Sequence, residues 1–297
     1  MKTAQHRMAL VAAILGNAIW GFSFLFTRTA LQVLSVPAVL LSIRFVFAFF
    51  LMSVPLLMGK AHFSLKGKKW GALLLLGLVE PVCFLFESYG ILYTNATFAG
   101  VVMSVSPIVS IFLAAIFLRE FPNRLQLLFC FVPVAGVILM AISGSQLGVV
   151  TPLGLLLLMG NCITAGAYRA VNRKSSQEFS AFERTYAVLG ISALGFTLVA
   201  LVQLKGDLSP YRTALADPTY LGCVAVLAVF CSVTAYLLVN YSSAHMSVAK
   251  ISAFGAVSTL CAAFAGIVFL REPVSWPMLL GAALVILGVW QVNLRGQ

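Results

Sequence analysis

Charge is scarce in this sequence. Of its 297 residues only 9% are Asp, Glu, Lys or Arg, and it holds 8 acids and 3 histidines. A soluble domain carries roughly 25% charged residues. Water is therefore excluded as the main solvent, and a lipid bilayer takes its place. Signatures of catalysis are missing as well. There is no Walker A run, no HExxH, no Ser/His/Asp setting and no cluster of metal ligands. An ATP-driven pump would need its nucleotide domain on another chain. The 6 cysteines lie inside apolar runs, without a CxxC or Cys/His grouping. They read as small buried hydrophobes, not as disulfides or a metal site. No metal or cofactor is expected.

Apolar residues make up 61% of the chain. The length suits about ten spans of roughly 20 residues. They are expected near 8–32, 37–58, 70–91, 96–118, 125–142, 152–172, a seventh ending near 204, then 219–242, 247–269 and 275–293. Asp207, Pro210 and Asp217-Pro218 mark a longer loop before the eighth span. The first apolar run is a full span with no small-residue cleavage site, so it is expected to stay as a helix.

The net charge of +11 invites a nucleic-acid reading. Its distribution argues otherwise, because the basic residues collect in alternate loops. With the N-terminus inside, only Arg28, Lys205, Arg212 and Arg271 fall outside, and Arg44, Arg169 and Lys250 fall within spans. Under the positive-inside rule this predicts both termini in the cytoplasm of a multi-pass inner-membrane protein. The expected partners are the bilayer and a small-molecule solute, with no nucleic acid, in a monomer or homodimer.

The chain also repeats itself. Residues 88–120, ending Phe117-Leu118-Arg119-Glu120, return at one fixed offset as 240–272, ending Phe269-Leu270-Arg271-Glu272. The same offset pairs Tyr89 with Tyr241, Ser106 with Ser258 and Phe112 with Phe264. This predicts an internal duplication, residues 1–145 and 146–297, with five helices in each half. Five is odd, so the second half enters the membrane from the opposite side. The expected fold is an all-α membrane protein of ten transmembrane helices in two inverted five-helix repeats, an architecture of secondary transporters.

Several short motifs stand in order along the chain: Trp20-Gly21, Pro37 followed by Arg44-Phe45, Tyr93-Thr94, Ser106-Pro107, Arg119-Glu120 and Arg271-Glu272. In that order and spacing they resemble the drug/metabolite transporter superfamily, in its EamA-type ten-helix branch. The resemblance covers nearly the whole chain. Ser258-Thr259 departs from it where the pattern often has a proline. It implies a central cavity and movement of small organic solutes: amino acids and related metabolites, organic cations or nucleotide-linked sugars.

Charges inside the membrane cost at least ~2.5–3.5 kcal/mol each and so need a reason. Glu80 and Glu87 lie seven residues apart, on one face of the third span. Glu80 falls near mid-bilayer, and Pro81 after it frees the Gly77 carbonyl. Either Glu80 binds a proton or cationic group, or it ties helices together as a protonated acid. Arg44 lies at a depth similar to Glu87 and is expected to pair with it; the alternative is that one of them meets a substrate carboxylate or ammonium, with Arg44 or Lys250 as the carboxylate-recognising cation. Asn17, Trp20 and Phe24 share one helix face, either a cavity wall or packed core. Asn161, Ser106 and Ser258 sit at similar depth, as site residues or interhelical glue. Tyr168, Tyr236 and Asn240 are candidates for an inner gate. Lys250 either snorkels to the surface or, beside His245, attracts anions. The two Arg-Glu pairs at helix ends are expected to fix turns.

The residues thus predict a secondary carrier working by alternating access around Glu80 and Trp20. It is expected to export amino acids or similar metabolites, with a proton as candidate coupling ion. Organic cations of choline-like or polyamine-like type are the alternative substrates. A passive channel or a polytopic membrane enzyme are the alternatives of another class.

Overall fold

The computed structural model describes residues 2–103, 150–246 and 254–294, together with positions 105, 106, 108, 109, 112, 132, 135, 136, 138–140 and 142. Among the described residues all regular structure is helical. The helices are α1 (Lys2–Val33), α2 (Pro37–Leu57), α3 (Gly71–Leu92), α4 (Ala96–Met103), α5 (Pro152–Ser175), α6 (Ala181–Leu204) and α7 (Ser209–Ala216). They continue with α8 (Pro218–His245), α9 (Gly255–Phe269) and α10 (Trp276–Leu294).

Six of these, α1, α2, α3, α5, α6 and α8, are long and apolar enough to cross a bilayer. Shorter apolar helices run over Val257–Phe269 and Leu279–Gly288. The expected fourth, fifth and ninth spans fall partly outside the described residues, as do Pro107, Arg119, Glu120 and Lys250. Large apolar side chains stand open on the flanks, such as Leu57, Leu194, Val202 and Trp276. Water would not tolerate such a surface, but lipid does.

Local chemistry sets the helix ends. Thr151 caps α5 by accepting from the Gly154 amide, and Pro152 supplies a preset first turn. Arg173 and Lys174 close that helix against its dipole. Ser180 and Glu183 form a reciprocal capping box at the start of α6. Asp217 caps α8 through the Tyr220 amide.

Two elements differ from expectation. The loop expected after residue 204 contains α7, where Pro210 fits the first turn and Ala214 is fully buried. Tyr211 of α7 donates to Ser42 of α2 at 2.9 Å, which anchors the short helix on the bundle. The Ser209 amide and hydroxyl before it bond the Asp207 carboxyl and hold it below the usual carboxylate range. Helix α8 winds as a π-helix over Leu227–Thr234. Such wide turns occur rarely and mostly at functional sites.

Packing is closest for α3 on α5, α2 on α6, α1 on α9 and on α8, and α4 on α9. In lipid, helices approach through small residues. Gly21 is one: a Cβ there would lie 2.5 Å from the Ser258 carbonyl oxygen and from Cys261 Cβ. The basic loops 58–70 and 173–180 lie at one end of the bundle, called the basic end below.

At the opposite end, Glu272 reaches from beyond α9 to the start of α4. Its two carboxylate oxygens accept the Ala96 and Thr97 amides, both at 2.8 Å. Arg271 makes this turn possible by taking a left-handed φ of 50°. The turn-fixing role expected for this pair is thus a cap on a helix distant in sequence.

Candidate functional site

Helices α1, α3, α5, α8 and α9 and the end of α4 enclose a cavity of about 120 Å³. That is room for several waters or a small solute, not for a single water. Trp20, Asn17, Glu80, Glu87, Asn161, Tyr168 and Tyr236 all line it. With Phe24 and Ser258, nine side chains singled out from sequence therefore meet at one place. Their common position follows from spacing: Glu80 and Glu87 share a face of α3, and Asn17, Trp20 and Phe24 share a face of α1.

Glu80 is 5% exposed and, among the described residues, has no hydrogen-bond or ion-pair partner. Glu87 accepts a long bond of 3.4 Å from the Asn161 amide. Asn17 donates to the Ala13 carbonyl one turn back at 2.7 Å, which fixes its amide against α1.

An aromatic wall stands in the same cavity. The Trp20 and Tyr236 rings meet edge to face at 5.3 Å, and Tyr168 meets Tyr236 at 6.3 Å. The Trp20 indole donates to the Cys231 carbonyl at 3.1 Å, inside the π-helical stretch of α8. Trp20 is thereby oriented by its neighbour and not free to turn. Among the described residues the hydroxyls of Tyr168 and Tyr236 are buried without a partner.

Arg44 and Glu87 lie within range of each other's charge but make no direct contact. Arg44 is 1% exposed, but it does not line the cavity and forms no ion pair with Glu87. Its Nε donates to Ser232 Oγ at 2.8 Å. Its guanidinium lies 4.7 Å from the Phe84 ring and 5.2 Å from the Phe45 ring. Cation–π attraction and a hydroxyl from the π-helical stretch take the place of the carboxylate. Asn240 likewise lies outside the cavity lining. It is bonded to Asn172 and Thr185 at 2.8 Å each.

Arg169 of α5 lines the cavity and donates to Ser106 Oγ at 2.7 Å. It brings a cation close to the two acids, while the cavity's other arginine, Arg173, gives its Nη1 to the Ser243 and Ala244 carbonyls. The signal was present in the sequence, since an arginine inside a span is costly and asks for a reason. Ser23, Ser243, Ser258 and Thr259 also join the lining.

The cavity extends to Arg173 and Ser243 at the basic end. Past Glu87, near the opposite end, Arg28 joins α1 to the end of α3. It donates to the Ile91 and Leu92 carbonyls at 3.0 and 3.2 Å.

The sequence profile of the EamA-like transporter family matches residues 7–142 and again 152–294. A protein of Bacillus subtilis described as the uncharacterized transporter YcxC is 32% identical, covering 99% of this chain and 96% of that protein. An uncharacterized transporter of Archaeoglobus fulgidus is 26% identical, covering 92% of this chain and 94% of its own length. A solved crystal structure superposes with a TM-score of 0.68 at 16% identity, over 99% of this chain and 98% of that one. At that identity it speaks for the fold alone. The chain belongs to the EamA-like transporter family. It is a multi-pass membrane transporter of small solutes and not an enzyme, which bears out the resemblance read from its motifs.

Proposed function

We propose that this chain is a secondary active transporter of small zwitterionic solutes, amino acids or related metabolites, working by alternating access. The carrying observation is the charge arrangement of one cavity, where Glu80 and Glu87 share the lining with Arg169. A solute with both an ammonium and a carboxylate has a partner there for each end. Arg169 takes the carboxylate role for which Arg44 and Lys250 were the candidates in sequence. Arg44 lies outside the cavity lining and Lys250 outside the described residues.

The proposed architecture is ten transmembrane helices in two inverted repeats, 1–145 and 146–297, with both termini in the cytoplasm of the inner membrane. The two separate matches of the family profile support the duplication. Basic residues at one end of the bundle support the orientation. On that reading the cavity reaches the cytoplasmic side here, and Arg28 and Glu272 hold the outer side closed. Inverted repeats supply the second state by exchanging their roles. Transport runs outward, and Glu80 takes and releases the coupling proton.

A second reading is an organic-cation carrier. It is favoured by the aromatic pair Trp20 and Tyr236 in the cavity with Glu80, a setting suited to an ammonium group by cation–π attraction.

A thermal-shift panel of amino acids, quaternary amines and polyamines separates the two, run on wild type, Glu80→Gln and Arg169→Gln. A bound solute stabilises the folded state by mass action. The zwitterion reading expects an amino acid to raise the Tm of wild type and of neither variant. A quaternary amine or polyamine that stabilises Arg169→Gln as well as wild type moves the assignment to organic cations. No shift from any compound sinks both. Counterflow in proteoliposomes then distinguishes a carrier, which shows it, from an open channel, which does not.

A further inference from the structure

A second apolar cavity lies on the flank of the bundle near the basic end, away from the solute cavity. It is a groove of about 560 Å³ between α2, α3 and α6, lined among others by Phe49, Phe63, Trp70, Leu74, Tyr186 and Leu194. Glycine shapes its floor. A Cβ on Gly190 would come within 2.9 Å of the Phe49 ring, so the glycine leaves that ring its present seat against α6. Tyr186 stands in the groove with the Phe49 ring at 5.0 Å and the Phe63 ring at 5.4 Å.

The roof is the loop 58–70, and one acid holds it down. Glu183 accepts from the Ser64 amide at 3.2 Å and pairs with the Lys68 ammonium at 2.6 Å. The outer lip is open: Phe50 is 65% exposed, Leu194 71% and Trp70 53%. Lys66 and Lys69 neighbour the lining residues Leu65 and Trp70, and both are exposed. Neither forms an ion pair among the described residues, whereas Lys68 is taken by Glu183.

We propose that this groove binds an anionic glycerophospholipid of the leaflet at the basic end. One acyl chain lies along the groove, and the phosphate meets Lys66 and Lys69. Apolar burial alone selects nothing here, because the surrounding lipid tails are as apolar as the groove wall. Selection therefore falls to the headgroup. Two lysines at the membrane surface give roughly a tenfold to thirtyfold preference for an anionic over a zwitterionic headgroup. Trp70 at the lip is of the type that seats at headgroup level. A second copy of the chain is the poorer occupant: a two-fold contact through this groove would set one lysine-rich loop against its equal.

The test uses purified, delipidated full-length protein in neutral detergent. Phosphatidylglycerol or phosphatidylcholine is added, and retained lipid is read by native mass spectrometry beside the Tm. Phosphatidylglycerol is expected to remain bound and raise the Tm, and phosphatidylcholine to do neither. Lys66→Ser with Lys69→Ser, in an exposed loop, is expected to level the two lipids. Ala187→Trp, which fills the groove and leaves both lysines, is expected to remove the bound phosphatidylglycerol. Equal retention of both lipids by wild type overturns the proposal, as does retention unchanged in both variants. A dimer in the native spectrum that Ala187→Trp dissolves assigns the groove to a second copy instead.

Discussion

Arg184 and Glu80 are both ionisable side chains buried in this bundle, 0% and 5% exposed, and they are treated in opposite ways. Arg184 reaches from α6 and gives its Nη1 to the Asn172 carbonyl, the Asn172 side chain and the Ser243 hydroxyl. Its Nη2 donates to the Asn240 carbonyl at 2.6 Å. Asn172 and Asn240 bond each other, and Thr185 takes the next donor. The result is a saturated network that ties α5, α6 and α8 together. Glu80 has no such partner among the described residues. Yet the two regions touch, since Asn172 and Ser243 belong to the network and to the cavity lining. A saturated network makes a fixed wall, and an unsaturated acid beside it leaves a place for something to bind.

The comparison breaks most visibly at Arg184. Arg184→Ala takes the donor from the Asn172 side-chain oxygen and the Ser243 hydroxyl, while the Asn172 carbonyl keeps the Ser175 hydroxyl and Ser176 amide and the Asn240 carbonyl keeps the Ser243 hydroxyl. The expected loss is about 3 kcal/mol, read by thermal unfolding in detergent. Arg184→Lys keeps the charge but not the fork, so it recovers only part. Unfolding of Arg184→Ala at the wild-type temperature would remove the distinction drawn between the regions. Glu80→Gln sharpens the other side. Its stability is expected to stay within about 0.5 kcal/mol of wild type, while solute uptake by proteoliposomes falls about tenfold or more, the loss of one charge-assisted contact. A Glu80→Gln protein that transports normally but melts early would make Glu80 helix glue.

Much of this was legible because two rules are severe in lipid. Helical spacing puts Asn17 with Trp20 and Glu80 with Glu87, and the cost of an intramembrane charge marks the acids. Hydropathy likewise finds the six long helices. What was not legible depends on which helices become neighbours. Depth alone paired Arg44 with Glu87, but the guanidinium bonds Ser232 and lies over Phe45 and Phe84 instead. Nothing in the run Leu227–Thr234 announces a π-helix, so the Trp20 bond to Cys231 had no signal. Arg169 did carry a signal, and only its neighbours reveal that it joins the cavity. The α7 helix was hidden because Pro and Asp serve a helix start as well as a loop.

The smallest effect is expected at Glu272, a second saturated acid, and it asks whether saturation means rigidity at both ends. Both its oxygens are engaged by the α4 amides at 2.8 Å. Glu272→Gln keeps the shape, but it offers one acceptor where there were two and removes the charge that faces the helix dipole. Loss of one capping bond and one dipole contact is worth about 1 kcal/mol. The Tm should fall by a few degrees at most for a chain of this size. If the fall is that small and a solute still binds, the cap trims α4 and the cavity does not depend on it. If Glu272→Gln melts as early as Arg184→Ala, the opposite end is held by this one acid. That end would then depend on this acid more than on the Arg28 bonds to α3, in contrast to the shared network at the basic end.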